Sequence, residues 1–289
     1  MTILDRDELN FSYLHLTGSS WQELVRHSLE ERLAGLAENG CTAMGMSIEE
    51  LDALVAQHSA DKIRGLLDEY GVRFSELEVL FGWNSGPDEI AAALEGEKHF
   101  FSRAEEFGIP LVKSCAVYPP GTDMPPVDVL AERFGALCDR AAARELDVAL
   151  ESIAVLPGFT YQVAADVVRG ADRSNGRLLI DMWHLFRDPD GPAAIEELSG
   201  AQIAGVEFGD GPLAASDDIM DEVLNRRRLP GDGEFDITGL LHTLVAKGVD
   251  VTPSVEVLSS ELRGLTVAEN VARTRAAVRA SVEAARAAL

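Results

Sequence analysis

Eight short apolar runs, each followed by an amphipathic stretch, limit what this chain can fold into. The runs are FSYLHL (11–16), CTAMGM (41–46), VRFSELEVL (72–80), LVKSCAV (111–117), DVALES (147–152), RLLIDM (177–182), IAGVEF (203–208) and TPSVEVL (252–258). Runs of this length bounded by turn residues read as strands. The intervening segments read as helices: Trp21 to Asn39 with Ser20 as N-cap, Ser47 to Tyr70, Asp88 to Phe107, Val127 to Arg144, Ala164 to Ala171, Ala193 to Leu198, Phe235 to Lys247, and Val267 to Leu289. Gly40, Gly71, Gly108 and Gly248 follow four of them as stops. Alternating βα units imply a parallel sheet. Eight of them in 289 residues favour a closed (β/α)8 TIM barrel, a fold of roughly 250 residues. An open sheet would advertise a glycine-rich phosphate loop after its first strand. Thr17-Gly18-Ser19-Ser20-Trp21 is not such a loop. No Pro/Gly/Ser-rich linker divides the sequence, so residues 1–289 are read as one domain.

Composition narrows the partners. The net charge of −24 argues against binding nucleic acid through its phosphates, which takes clustered Lys and Arg. No apolar run approaches the ~18 residues of a membrane span. MTILDRDELN lacks the basic and apolar regions of a secretory signal, which makes the cytoplasm the expected location. Cys41, Cys115 and Cys138 form no C-x-x-C pair and read as small core residues rather than a disulfide or zinc framework. The expected partner is a small molecule. A homo-oligomer is left open, because the Ala-rich final helix suits packing on the barrel or on a second copy.

The chemistry gathers at strand ends. Glu151, Asp181, Glu207 and Glu256 each come as an apolar strand body finishes. In a parallel barrel these four would converge at one end, where such barrels do their chemistry. Converging carboxylates imply a divalent metal, because unpaired negative charges cannot be crowded together cheaply. His184, three residues after Asp181, falls near the same pocket as a substrate donor or metal neighbour. The loop Arg226-Arg-Arg228-Leu-Pro-Gly-Asp-Gly-Glu234 is tight, and Arg228 at its mouth offers a fork of donors for oxygen pairs. Lys113, in the middle of the fourth strand, reaches the pocket to contact substrate and offset its negative charge. Trp83, Trp183 and Phe186 are candidates for an apolar wall, with ordinary packing as the alternative.

The order Glu151, Asp181-Met-Trp-His184, Glu256, together with an R-x-x-P-G-x-G loop whose arginine is taken as Arg228, resembles the sugar phosphate isomerase/epimerase superfamily, the xylose-isomerase-like TIM barrels. The resemblance runs from FSYLHL to the last helix. It implies manganese, magnesium or a similar ion held by two Glu, one Asp and one His. It makes Glu151 and Glu256 both ligands and acid/base pair, Asp181 a ligand, and His184 and Arg228 substrate contacts. The chain departs at Glu207, where the family pattern has His. An all-carboxylate site with Glu207 as a ligand, a weakened site and a metal-free descendant all remain open. The implied activity is isomerisation or epimerisation of a keto-sugar, sugar phosphate or cyclitol, by proton abstraction next to a carbonyl through a cis-enediolate. The alternatives are a lyase or dehydratase acting on a keto-sugar, inosose or 3-keto-glycoside, and a non-catalytic barrel. An endonuclease branch of the group, richer in His ligands, fits poorly with six His and this net charge.

Overall fold

The apolar runs pair side by side in chain order. The computed structural model describes every residue except Gln22, Pro87, Asp88, Pro119, Pro120 and Pro157. Its strands are β1 (Asn10–Phe11), β2 (Ala43–Ser47), β3 (Arg73–Leu80), β4 (Leu111–Cys115), β5 (Asp147–Glu151), β6 (Gly176–Asp181), β7 (Ile203–Phe208) and β8 (Pro253–Val255). All pairings are parallel, and β1 pairs with β8 to close the barrel. The helices are α1 (Tyr13–Leu16), α2 (Leu29–Glu38), α3 (Ile48–His58), α4 (Ala60–Tyr70), α5 (Ile90–Phe107), α6 (Val127–Ala142), α7 (Tyr161–Ala171), α8 (Met182–Arg187), α9 (Gly191–Glu196), α10 (Ile219–Asn225), α11 (Ile237–Ala246) and α12 (Val267–Ala287). None among the described residues is long and apolar enough to cross a membrane.

The core lies between strands and helices. Val148 and Leu150 of β5 are fully buried, as are Phe134 and Cys138 of α6. Gly176 is what lets α6 approach β6, since a Cβ there would lie 2.3 Å from Cys138 Sγ. All three cysteines are free and buried, as core residues should be. The interior of the barrel is different. Glu76, Glu78, Lys113, Asp181 and Glu207 are buried there. Gly45 makes room for them, because a Cβ at that position would come within 2.9 Å of Glu76 Oε1.

Several boundaries differ from the sequence reading. The first strand is only two residues long. Ser12 N–H donates to Val255 O at 3.1 Å, but Tyr13 N–H then donates to the Glu78 carboxylate at 3.1 Å, which ends the strand pairing and starts α1. The expected helix from Trp21 begins at Leu29, capped by Ser28 rather than Ser20. Ser28 Oγ accepts the Glu31 N–H at 3.3 Å and Glu31 accepts the Ser28 N–H at 2.7 Å, a reciprocal capping box. The stretch from Ser47 is two helices, α3 and α4, broken at Ser59, whose φ of 76° a helix does not allow. The expected helix start at Asp88 lies outside the described residues. Short α8 was not expected. Asp181 makes it by accepting the His184 N–H at 3.0 Å, so one residue ends a strand and caps a helix.

Candidate active site

Strand periodicity delivers the acids to one end of the barrel. Glu151 and Asp181 are the last residues of β5 and β6, Glu207 is next to last in β7, and Glu256 follows β8. Asp181 stands directly beside Glu207 in the strand register, and Glu207 beside Ser254. One ligand atom each from Glu151, Asp181 and His184 lie within 4.8 Å of one another, and so do oxygens of Asp181, Glu207 and Glu256. The structure therefore brings together all four acids and His184.

Asp181 is held from several sides. Its Oδ2 accepts from Arg227 Nη1 at 2.8 Å. Its backbone carbonyl accepts from the Tyr161 hydroxyl at 3.0 Å. Burial raises the Asp181 carboxyl, and the Arg227 charge together with the His184 contacts more than reverses this, holding it below the usual range. His184 Nδ1 lies 3.2 Å from the Ala154 backbone N–H, and its Nε2 lies 3.2 Å from Arg227 Nη2. Both neighbours can only donate, and a neutral imidazole has a single acceptor nitrogen. One ring nitrogen therefore accepts from its neighbour and the other carries the proton, according to the tautomer. Burial pushes the His184 pKa down to about 4, consistent with a neutral ring.

Arg227, not Arg228, is the arginine of the site. Arg227 is 3% exposed and lies over the Trp183 ring, with Nη1 reaching Asp181 and, at 3.3 Å, Glu256 Oε2. Arg228 is exposed, and among the described residues its side chain bonds only the Asp232 carbonyl, at 3.3 Å. The segment is locally extended, with Arg228 paired through its backbone to Asp210, so adjacent side chains point to opposite sides. The signal was present in the sequence: R-x-x-P-G-x-G, counted strictly, starts at Arg227. Asp210 builds this loop. It accepts N–H groups from Gly231 and Gly233 at 2.9 Å, Gly211 at 2.7 Å and Phe235 at 3.1 Å. We expect Asp210→Ala to cost about 3 kcal/mol by leaving buried donors unpaired. Urea denaturation would measure this, and a loss under about 1 kcal/mol would show that the loop holds itself.

Lys113 does not face the cavity. Its Nζ lies 2.8 Å from Glu78 Oε2 and 3.2 Å from Glu76 Oε1, and it also bonds Glu207 Oε1. A buried ammonium takes carboxylate partners wherever it finds them, and here they come from β3 and β7. Burial alone would lower the Lys113 pKa, but Glu207, Glu76 and Glu78 hold it well above its ordinary value. Burial pushes the Glu207 carboxyl up, opposed by Lys113 and reinforced by Glu256 and Glu151. Burial is also the main cause raising Glu151 well above the usual range, with Lys113 opposing it and Glu256 and Asp181 adding to it. Glu256 accepts from Ser12 Oγ at 2.6 Å. Of the two readings of the aromatics, packing is the one observed: Trp83 and Trp183 are buried, and Phe186 stacks on Phe235 at 4.8 Å.

The donor set suits a hard dication. Glu207 Oε2 is buried and has no hydrogen-bond partner among the described residues. Six carboxyls, of Glu76, Glu78, Glu151, Asp181, Glu207 and Glu256, face two cationic side chains among the described residues, Lys113 and Arg227. An oxygen-rich, over-negative cluster with an orphaned oxygen is chemistry for a divalent cation. Such an ion would share Asp181 and Glu256 with Arg227.

A closed parallel barrel with acids gathered at the carboxyl ends of its strands defines the class. The chain belongs to the xylose isomerase-like TIM barrel family, whose model matches residues 33–285. A 3-dehydroshikimate dehydratase of Pseudomonas aeruginosa is 29% identical over 245 residues, covering 84% of this chain and 38% of the relative. The chain thus spans less than two fifths of the length of the curated relatives it matches. A xylose isomerase-like TIM barrel/4-hydroxyphenylpyruvate dioxygenase fusion protein shares the fold, with 23% identity, a TM-score of 0.80, and coverage of 93% of this chain and 42% of that one. The IOLI protein, solved with a bound zinc atom, shares it at 17% identity and a TM-score of 0.83, over 95% of this chain and 98% of that one.

Proposed function

We propose that the chain is a carbon–oxygen lyase that removes water from a cyclic β-hydroxy ketone of the 3-dehydroshikimate type. The convergence of Glu151, Asp181, His184 and Glu256 at one end of the barrel carries this reading. The dehydratase relative turns it toward elimination and away from the isomerase or epimerase expected from the sequence. Glu151, Asp181, Glu207 and Glu256 would hold a divalent ion, which when bound polarises a carbonyl oxygen as a Lewis acid. Glu151 lines the cavity and takes the proton from the carbon beside the carbonyl. The Arg227 guanidinium donates to the oxygen on which charge develops, and His184 stands beside it. Glu256, also on the cavity, returns a proton to the departing hydroxyl. Elimination then leaves a second carbon–carbon double bond in the ring, and enolisation of the resulting dienone, by loss of a ring proton and protonation of the ketone oxygen, makes the six-membered ring aromatic.

The test is to incubate the purified protein with 3-dehydroshikimate and magnesium or manganese in heavy water. Stoichiometric loss of water, followed by the ultraviolet absorbance of the aromatic product, is the expected result. Exchange of the α-proton for deuterium with no aromatic product would return the site to epimerase chemistry. Prior treatment with a chelator is expected to lower both the activity and the thermal midpoint, and restoring the metal to recover both.

A further inference from the structure

The cavity over the acids is larger and more apolar than a small polyol needs. Its volume is about 950 Å³, at the upper end of the ~300–1,000 Å³ of sites for drug-sized ligands. Glu151, His184, Arg227 and Glu256 lie on one side of it. The rest of its lining includes Trp21, Phe81, Val117 and Met220, which remain 54%, 53%, 40% and 44% exposed. Exposed large apolar residues scattered singly are unremarkable, but these four gather on one cavity continuous with the acids. A single ring of the dehydroshikimate type, held on the acids by its oxygens, is too small to cover the whole of such a wall. Burying an apolar group there would remove both surfaces from water.

We propose that the molecule bound here is a hydroxy-ketone carrying an aromatic or alicyclic body, and that the Trp21–Phe81–Val117–Met220 wall is the subsite for that body. The proposal rests on reading the acids as a hydroxy-ketone site. It adds that the polar head meets Glu151, His184, Arg227 and Glu256 while the body lies toward the mouth.

The test uses three probes with one head and a growing body: hydroxyacetone, 2-hydroxyacetophenone and 2-hydroxy-1-(2-naphthyl)ethanone, with affinities measured by calorimetry on the metal-loaded protein. Affinity is expected to rise at least tenfold from the methyl to the naphthyl member. The shift in tryptophan emission on adding the phenyl probe is expected to shrink in Trp21→Phe, a comparison that separates Trp21 from Trp183, whose ring lies against Arg227 and His184. The gain is expected to fall at least fivefold in the Phe81→Ser/Val117→Ser double variant, with folding checked by thermal unfolding. Met220→Gln supplies the same comparison should the double variant not fold. A flat affinity series, or a gain that survives in these variants, overturns the subsite. Light scattering covers the other occupant: a dimer that buries Trp21 and abolishes naphthyl binding also overturns it. Dehydration of 3-dehydroshikimate is assayed in parallel. A flat series in an active enzyme removes the subsite and keeps the lyase, whereas a graded series without elimination keeps the subsite and removes the lyase.

Discussion

Glu151→Gln is expected to lower turnover of 3-dehydroshikimate by about 10³-fold while leaving the barrel folded. The substitution keeps the shape of the side chain and removes its charge and its capacity to take a proton. General acid–base groups contribute roughly 10²–10⁴ to rate, and a cavity-lining Glu at a strand end is where this barrel would hold one. The thermal midpoint of the metal-free protein is expected to stay level or rise, because burial and the neighbouring Glu256 and Asp181 disfavour a charge at this position. Metal content after dialysis is expected to drop, since one oxygen donor weakens to an amide. Steady-state kinetics, calorimetry and elemental analysis of the same preparation separate these effects. A variant within threefold of the parent in kcat would remove Glu151 from the reaction.

Lys113→Met is expected to be the most destabilising conservative change in the barrel interior. Lys113 Nζ is the shared cation of Glu76, Glu78 and Glu207, and all four side chains are buried. Removing one member of a buried ion network strands the others, at a cost of about 3–5 kcal/mol. Glu78 shows the strain of the position even with the lysine present, since burial chiefly raises its pKa to about 7. Urea denaturation would measure the loss. Adding Glu207→Gln to Lys113→Met is expected to recover part of it, because one stranded charge disappears, and the double-mutant cycle gives the coupling directly. A loss under about 1 kcal/mol would show that the carboxyls simply take up protons in place of the ammonium. Glu207 thus has its cationic partner across the barrel in Lys113.

Much of the fold was legible because it rests on local pattern. Seven of the eight apolar runs hold strands β2 to β8, in order, whereas the first gives only Phe11 to β1 and otherwise forms α1; the alternation of helices forced the strands parallel. Caps were less legible. Ser20, read as the N-cap, does have an acid three residues on, since Glu23 accepts its N–H at 2.8 Å, but the helix forms only behind the box of Ser28 and Glu31. Ser59 shows the limit in the other direction. Nothing in its neighbours' hydrophobic pattern announces a break, and the backbone turns there to a positive φ so that α3 and α4 can each pack on the barrel. The functional reading moved as well. The acids alone suit proton abstraction followed by any of several outcomes, and it took a dehydratase relative to favour elimination.

The sequence by itself determined that Glu151, Asp181, Glu207 and Glu256 would share one end of a barrel. That follows from two short-range facts, the two-residue alternation of a strand and the common direction of parallel strands. Only the tertiary structure decided which cations serve them. Lys113 meets Glu78 and Glu207, 35 and 94 positions away, and Arg227 meets Asp181 46 positions away. Those meetings depend on the stagger between strands and on which side of an extended loop a side chain leaves. A one-residue change of phase placed Arg227 against Asp181 and left Arg228 in water. Periodicity is written along the chain. The match between charges is set across the barrel, where strand register and burial act together.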